Sequence, residues 1–312
     1  MSAALEVVGI THDFRVGGRA LRAIDGVDLA VADGETLGIV GESGCGKTTL
    51  ARIMLKLIRP SAGRVQLLGY DVTDLSESRM RVHRRRLQAV FQDPVSSLNP
   101  RLEIAAIIAE PLRSLGFSRR AMRDRVAEML SLVGLPADAA SSTPDAFSGG
   151  QRQRIAIARA LAAEPQVVVC DEPTSALDVS VQAQILNLLA DLQQRLGLSV
   201  VFVSHNLGAV RHLSQRVAVM YLGRVVELGT EAAIFDRPAH PYTQTLLAAV
   251  PDPTVVASPP PPLPGDVPSP LDRPSGCHFH PRCPRAASRC RNEDPPLAVL
   301  AEHHAARCFF PG

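Results

Sequence analysis

The chain has no tryptophan, and aromatic residues make up only 4% of its 312 positions. Such scarcity argues against the stacking platforms that bind single-stranded nucleic acid. Net charge is also small: 33 Lys and Arg against 31 Asp and Glu leave +2, so nothing electrostatic calls for a nucleic-acid partner, and none is expected. No apolar run approaches the 18 or so residues of a membrane span, and Met1-Ser2-Ala3-Ala4-Leu5-Glu6 lacks the apolar core of a secretory signal. The expectation is a cytosolic chain that reaches a membrane only through partners. No internal repeat is visible, which predicts a single copy of the main site. What is present, 46% hydrophobic and 21% charged residues, is a globular composition long enough for one large α/β domain and an appendage.

The most informative stretch is Gly41-Glu42-Ser43-Gly44-Cys45-Gly46-Lys47-Thr48. An apolar run at 36–40 precedes it, and a helical pattern starting at Thr49 comes after it. Strand, glycine-rich loop and helix in that order make a G-x-x-x-x-G-K-[ST] phosphate loop. Glycines let backbone N–H groups curl round an anion, and the helix N-terminus adds partial positive charge. Lys47 is then expected to reach the β- and γ-phosphates, and Thr48 to hold Mg²⁺. A loop that merely joins strand to helix is the bland alternative.

Residues 1–40 read as β-rich, with strands at 5–10, 23–31 and 36–40 and Phe14 on a loop. A basic stretch at 79–86 reads as a solvated helix face. A short strand at 87–91 delivers Gln92 to a loop. Residues 93–165 change to helical spacing, as in Ile104, Ile107, Ile108 and Leu112, and are read as an inserted helical subdomain. It closes on Phe147-Ser148-Gly149-Gly150-Gln151. The run Val167-Val168-Val169-Cys170 suits a doubly buried parallel strand and ends in Asp171-Glu172, at the edge where open α/β sheets bind ligands. A helix is expected over 181–196, a strand over 199–203 with His205 near its tip, and a hairpin about Leu222-Gly223. On its own, a strand-end histidine is more often structural.

From Pro251 to Pro274 there are ten prolines, read as a semi-rigid linker unable to join a packed core. It divides a domain at 1–250 from a tail at 275–312 that holds four of the six cysteines, spaced C-x5-C-x6-C-x17-C at Cys277, Cys283, Cys290 and Cys308. In a reducing cytosol such clustering favours a metal site over disulfides. Four thiolates suit Zn²⁺ or a [4Fe–4S] cluster, and spacing alone does not choose. His278, His280, His303 and His304 are possible substitutes. The proline arm is expected to hold the tail away from the phosphates.

These motifs, in this order over residues 5–250, resemble the ATP-binding cassette (ABC) ATPases. The resemblance makes 41–48 a Walker A loop, Gln92 the Q-loop, Ser148-Gly149-Gly150-Gln151 the signature, 167–171 Walker B, Glu172 the catalytic glutamate, 175–178 the D-loop with Asp178, and His205 the H-switch. The signature opens with Phe147 where leucine is commoner. Phe14 stands where the family places its adenine-stacking aromatic. The chain is similar, more narrowly, to the oligopeptide/dipeptide permease ATPases, through Val90-Phe91-Gln92-Asp93-Pro94, Ser96-Ser97-Leu98-Asn99-Pro100-Arg101, His240-Pro241-Tyr242-Thr243-Gln244 and the Cys277–Cys283 segment. It implies an α/β P-loop fold and an ATP site formed by Phe14, Gly41, Ser43, Gly44, Cys45, Gly46, Lys47, Thr48, Thr49 and Asp171. It also implies Mg²⁺ held by Thr48, Gln92 and Asp171, with Glu172, His205 and Gln92 catalytic. Ser148 and Gly150 would serve the nucleotide of a second ATPase subunit, identical or paralogous, in a head-to-tail dimer. Two transmembrane permease subunits, and through them an extracytoplasmic peptide-binding protein, complete a bacterial importer at whose inner membrane the chain is expected to be peripheral. The resemblance favours the cluster over zinc in the tail. Nickel, glutathione or antimicrobial peptides are alternative cargoes. A soluble DNA-repair ABC protein fits less well, since the 124 residues from Lys47 to Asp171 leave no room for a long insertion; an iron–sulfur assembly ATPase is a third reading.

Overall fold

The computed structural model describes residues 3–249 and 267–312, apart from the side chains of residues 94 and 95. Two long strands, β1 (Ala3–Val16) and β2 (Arg19–Ala32), open the chain as an antiparallel hairpin. Together with β4 (Ala62–Leu67) and β5 (Tyr70–Asp71) they form a four-stranded sheet in the order β2-β1-β4-β5. Phe14, expected on a loop, lies within β1 opposite Leu21, because the hairpin pairs right up to the Gly17-Gly18 turn.

The larger sheet is built on β3 (Thr36–Val40), β6 (Leu87–Val90), β7 (Val167–Asp171), β8 (Ser199–Val203) and β9 (Arg216–Tyr221), all parallel. Every residue of β3, β7 and β8 is buried, which is why these strands read as unbroken apolar runs rather than alternating ones. An antiparallel strand, β10 (Arg224–Thr230), turns back from β9 through Leu222 and Gly223, both at positive φ. That pair of angles suits a tight turn matched to strand twist.

Between the sheets lies α1 (Lys47–Met54), whose Leu50, Ile53 and Met54 are fully buried in a core shared with Ile10, Ile24 and Val65. After α2 (Glu77–Arg84) and β6 come α3 (Pro94–Ser97), α4 (Ile104–Ile108), α5 (Glu110–Ser114), α6 (Arg119–Leu132) and α7 (Gly149–Ala162). Ile107, Ile108, Leu112, Met129 and Leu130 cluster with Ile155 and Ile157 of α7, in a core that continues into Val90, Val168 and Phe202 of the larger sheet. Arg125 of α6 donates to Leu161 O and Ala162 O, placing a cation on the C-terminal carbonyls of α7. The chain continues through α8 (Val179–Leu196), two residues earlier than its periodicity suggests, then α9 (Leu207–Leu213), α10 (Glu231–Asp236) and α11 (Pro241–Ala248).

Most of the proline-rich stretch, residues 251–266, lies outside the described residues. The tail beyond it does not keep the expected separation. After α12 (Ser288–Asn292) and β11 (Ala298–Ala301), β12 (His304–Ala306) pairs with β10, so the tail completes the edge of the main sheet. Glu227 of β10 is fully buried there; it accepts from the backbone N–H of Ala239 and His240, and His304 Nε2 lies 2.7 Å from its carboxylate. Phe279 packs on the touching pair Tyr221 and Tyr242, with ring centroids 5.3 and 5.5 Å away. An apolar segment carrying its own aromatic anchor joins a core whatever the composition of the linker before it.

Candidate functional site

The parallel register brings three strand tips to one edge. Ile39 and Asp171 both stand beside Val203, so residues 41–48, Glu172 and His205 emerge together. In the phosphate loop Gly41 (φ 155°), Gly44 (φ 78°) and Gly46 (φ 107°) hold angles that suit glycine. At Gly41 a Cβ would also come within 2.2 Å of Met220 O. The loop therefore lies flush on β9, with Cys45 N–H turned back onto Glu42 O.

Lys47 is buried, its ammonium donating to Gly41 O at 2.8 Å and Glu42 O at 3.0 Å, which centres the charge in the loop. Thr48 Oγ1 donates to Asp171 Oδ1 at 3.1 Å. Burial raises the Asp171 carboxyl above its ordinary range, with Glu172 adding to the effect, while the Thr48 bond and the charges of Arg52 and Lys47 oppose it. Glu172 has φ 48°, a left-handed angle that costs a non-glycine residue of order 1 kcal/mol. Its backbone N–H donates to Val203 O, and its carboxylate sits 3.1 Å from His205 Nδ1. An unfavourable backbone angle held by the neighbouring strand, with a carboxylate touching an imidazole, has the form of a poised reaction site.

Lys47, Thr48 and Glu172 open on a cleft of about 450 Å³, which Asp171 and His205 do not line; it is ample for a nucleotide. Ser43, Gly44, Gly46, Lys47, Thr48 and Thr49 line one part, Gln92 and Glu172 another, and Phe14 a third. Phe14 is 38% exposed and meets His12 edge-on at 4.6 Å, so its ring is not a core aromatic. Cys45, although in the loop, is buried beneath it, and burial pushes its thiol up. The signature is elsewhere. Ser148 caps α7 in a reciprocal capping box with Gln151, and Gly150 lies against α8, where a Cβ would come 2.4 Å from Val181 Cγ1. Ser148, Gly149 and Asp178 are exposed, and none of them lines the cleft with the phosphate loop.

Several wall residues were not foreseen. Leu21, Arg22 and Ala23 of β2, Leu222 and Gly223 of the β9–β10 turn, and Pro270 share the cleft. The turn was visible in sequence, but its docking was not: Gly223 N–H donates to Cys45 O, and Asp25 N–H donates to Gly223 O. The tail also reaches the loop. Arg282 pairs with both carboxylate oxygens of Glu42, at 2.9 and 3.1 Å, and Tyr242 Oη accepts from Glu42 N–H.

The four tail cysteines are free thiols lining one small cavity with Phe279 and Phe309. Burial pushes Cys277 up to about 11 and raises Cys283 and Cys308. Among the described residues no three His, Cys, Asp or Glu side chains are gathered tightly enough for a single metal ion. Of the histidines considered as substitutes, His304 is committed to Glu227, His280 Nδ1 lies 3.0 Å from Cys277 O, and His303 is exposed. Burial lowers His278 to about 4. Also among the described residues, no helix is long and apolar enough to cross a membrane.

Comparison with known proteins agrees with this geometry. A family described as ABC transporter matches residues 24–175, and one described as oligopeptide/dipeptide transporter, C-terminal region, matches residues 226–290. The chain is 52% identical over 298 residues to the probable peptide ABC transporter ATP-binding protein y4tS of Sinorhizobium fredii, spanning 95% of this chain and 84% of that protein. It is 49% identical to the oligopeptide transport ATP-binding protein OppF of Salmonella typhimurium, across 93% of this chain and 88% of that one. A solved dimeric ATP-binding cassette, MJ0796 in a post-hydrolysis state with ADP and Pi, superposes with a TM-score of 0.67 at 31% identity, over 73% of this chain and 98% of that one. The chain belongs to the ABC transporter ATP-binding proteins, in the branch that carries the oligopeptide/dipeptide C-terminal region, and it is an ATPase.

Proposed function

We propose that this chain is the energy-coupling ATPase of a bacterial importer for oligopeptides or dipeptides. The observation that carries the cargo class is the similarity to peptide-transport ATPases over more than nine-tenths of the chain, tail included. It works in a dimer of such subunits, identical or paralogous, beneath two permease subunits at the cytoplasmic face of the membrane, and an extracytoplasmic receptor supplies the peptide. Dimeric neighbours, and a phosphate-loop cleft that no signature residue of the same chain lines, support this arrangement.

Phosphoryl transfer needs positioning and charge neutralisation more than covalent help. Lys47 and the loop amides bind the β- and γ-phosphates. Thr48, Gln92 and Asp171 would hold Mg²⁺, which would supply positive charge to the phosphates. Glu172 orients and polarises the attacking water, and His205, already against Glu172, bonds the γ-phosphate. Ser148 and Gly150 present the N-terminus of α7 to the partner's nucleotide.

In the tail the resemblance to the peptide-transport branch, rather than the donor set, favours a [4Fe–4S] cluster over zinc. Four thiols line one cavity, a donor set that either group could use. Ligation by Cys277, Cys283, Cys290 and Cys308 would cross-link the tail. Anaerobic purification tests this: a colourless protein with stoichiometric zinc refutes it. Affinity isolation from native membranes tests the whole reading. Co-purification of a channel and a peptide-binding receptor is expected; recovery of a nickel or glutathione receptor overturns the cargo, and recovery of no membrane subunit overturns the transport role.

A further inference from the structure

We propose that the short segment 269–273, near the end of the proline-rich stretch, forms the nucleoside-side wall of the ATP cleft. The inference rests on the phosphate-loop reading and extends it. The loop grips one end of the cleft, while Phe14, Arg22 and Pro270 surround another part of it. A proline ring offers an apolar face and carries no N–H donor. Such a surface suits the flat face of a base without reading its edge, so it favours nucleoside triphosphates as a class over bare polyphosphate.

What makes the segment a built wall is its anchorage. Asp25 on β2 is half-buried and is gripped by three guanidinium groups: Arg224 at 2.7 Å, Arg273 at 2.9 Å and Arg22 at 3.3 Å. Burial alone would raise the Asp25 carboxyl, but the three cations hold it below its ordinary range. Arg273 also donates to Arg22 O, and Asp272 pairs with Arg19 at 2.6 Å. The exposed Arg19–Asp272 pair adds little; the Arg273–Asp25 contact, largely shielded from water, fixes the register. Because the backbone N–H of Asp25 holds Gly223, whose own N–H holds Cys45 O, one residue ties the segment to the phosphate loop.

The test uses the full chain and two probes, MgATP and magnesium tripolyphosphate, each displacing a fluorescent ATP analogue. Pro270→Gly and Arg273→Met are expected to weaken MgATP about three- to ten-fold and to leave tripolyphosphate unchanged. Wild-type MgATP affinity in both variants overturns the proposal, as does equal weakening of the two probes. Photolabelling of the wild-type chain with 8-azido-ATP gives a readout that needs no variant: label on the peptide containing Pro270 is expected, and its absence counts against the wall. Lys47→Ala separates the underlying reading, since unchanged binding of both probes there refutes the phosphate loop whatever Pro270 does.

Discussion

Cutting the link between Arg282 and Glu42 should weaken the fold and disturb the phosphate loop together. At 2.9 Å and an effective dielectric near 20, the gross attraction is roughly 6 kcal/mol, most of it offset by desolvation. A charge-assisted, two-point pair of this kind leaves a net coupling of about 2 kcal/mol. The two sides are unequal. Arg282 is 6% exposed and Glu42 26%. Glu42→Gln strands a buried guanidinium and should cost about 3 kcal/mol, whereas Arg282→Met leaves a carboxylate that water can reach and should cost less. The double variant should recover about 2 kcal/mol relative to the sum of the singles. Urea unfolding of the four proteins measures this, and each kcal/mol should move the thermal midpoint by about 2–4 °C. Additivity within about 0.5 kcal/mol would show that the pair is ornamental, and the tail–loop connection would fall with it.

The site itself sets the other expected outcomes. Glu172→Gln should keep ATP binding and lower turnover by about 10²- to 10⁴-fold, trapping a closed dimer; wild-type hydrolysis would remove Glu172 from the chemistry. Lys47→Ala should lose ATP affinity, read by calorimetry. Ser148→Ala breaks the capping box and should cost about 1 kcal/mol of stability, yet leave ATP binding by the isolated subunit unchanged while hydrolysis by the dimer falls. Cys45 is buried with its thiol raised, so it should resist iodoacetamide at neutral pH until the protein is denatured. Early labelling in a mass-spectrometric time course would contradict the packing of the loop.

Local chemistry and period made much of this molecule legible. The phosphate loop, the buried strand ending in Asp171-Glu172 and the helical subdomain depend on spacing within short windows, and the structure places them as that spacing implies. The parallel register then adds what no window contains: Glu172 and His205 meet because β7 and β8 are neighbours. Composition misled at the tail. Ten prolines suggest a linker but say nothing of what lies beyond it. Phe279, Arg282 and β12 find partners some 40 to 240 residues upstream, and pairings at that range leave no periodic trace.

The clamp on Glu42 also has a consequence in time. Its partner lies 240 residues further along the chain. On a ribosome the strand, loop and α1 emerge early, while Arg282, Phe279 and β12 are still unmade. The phosphate loop of a nascent subunit therefore passes through most of its synthesis without its final brace. Nucleotide binding at full strength should be among the last properties the growing chain acquires.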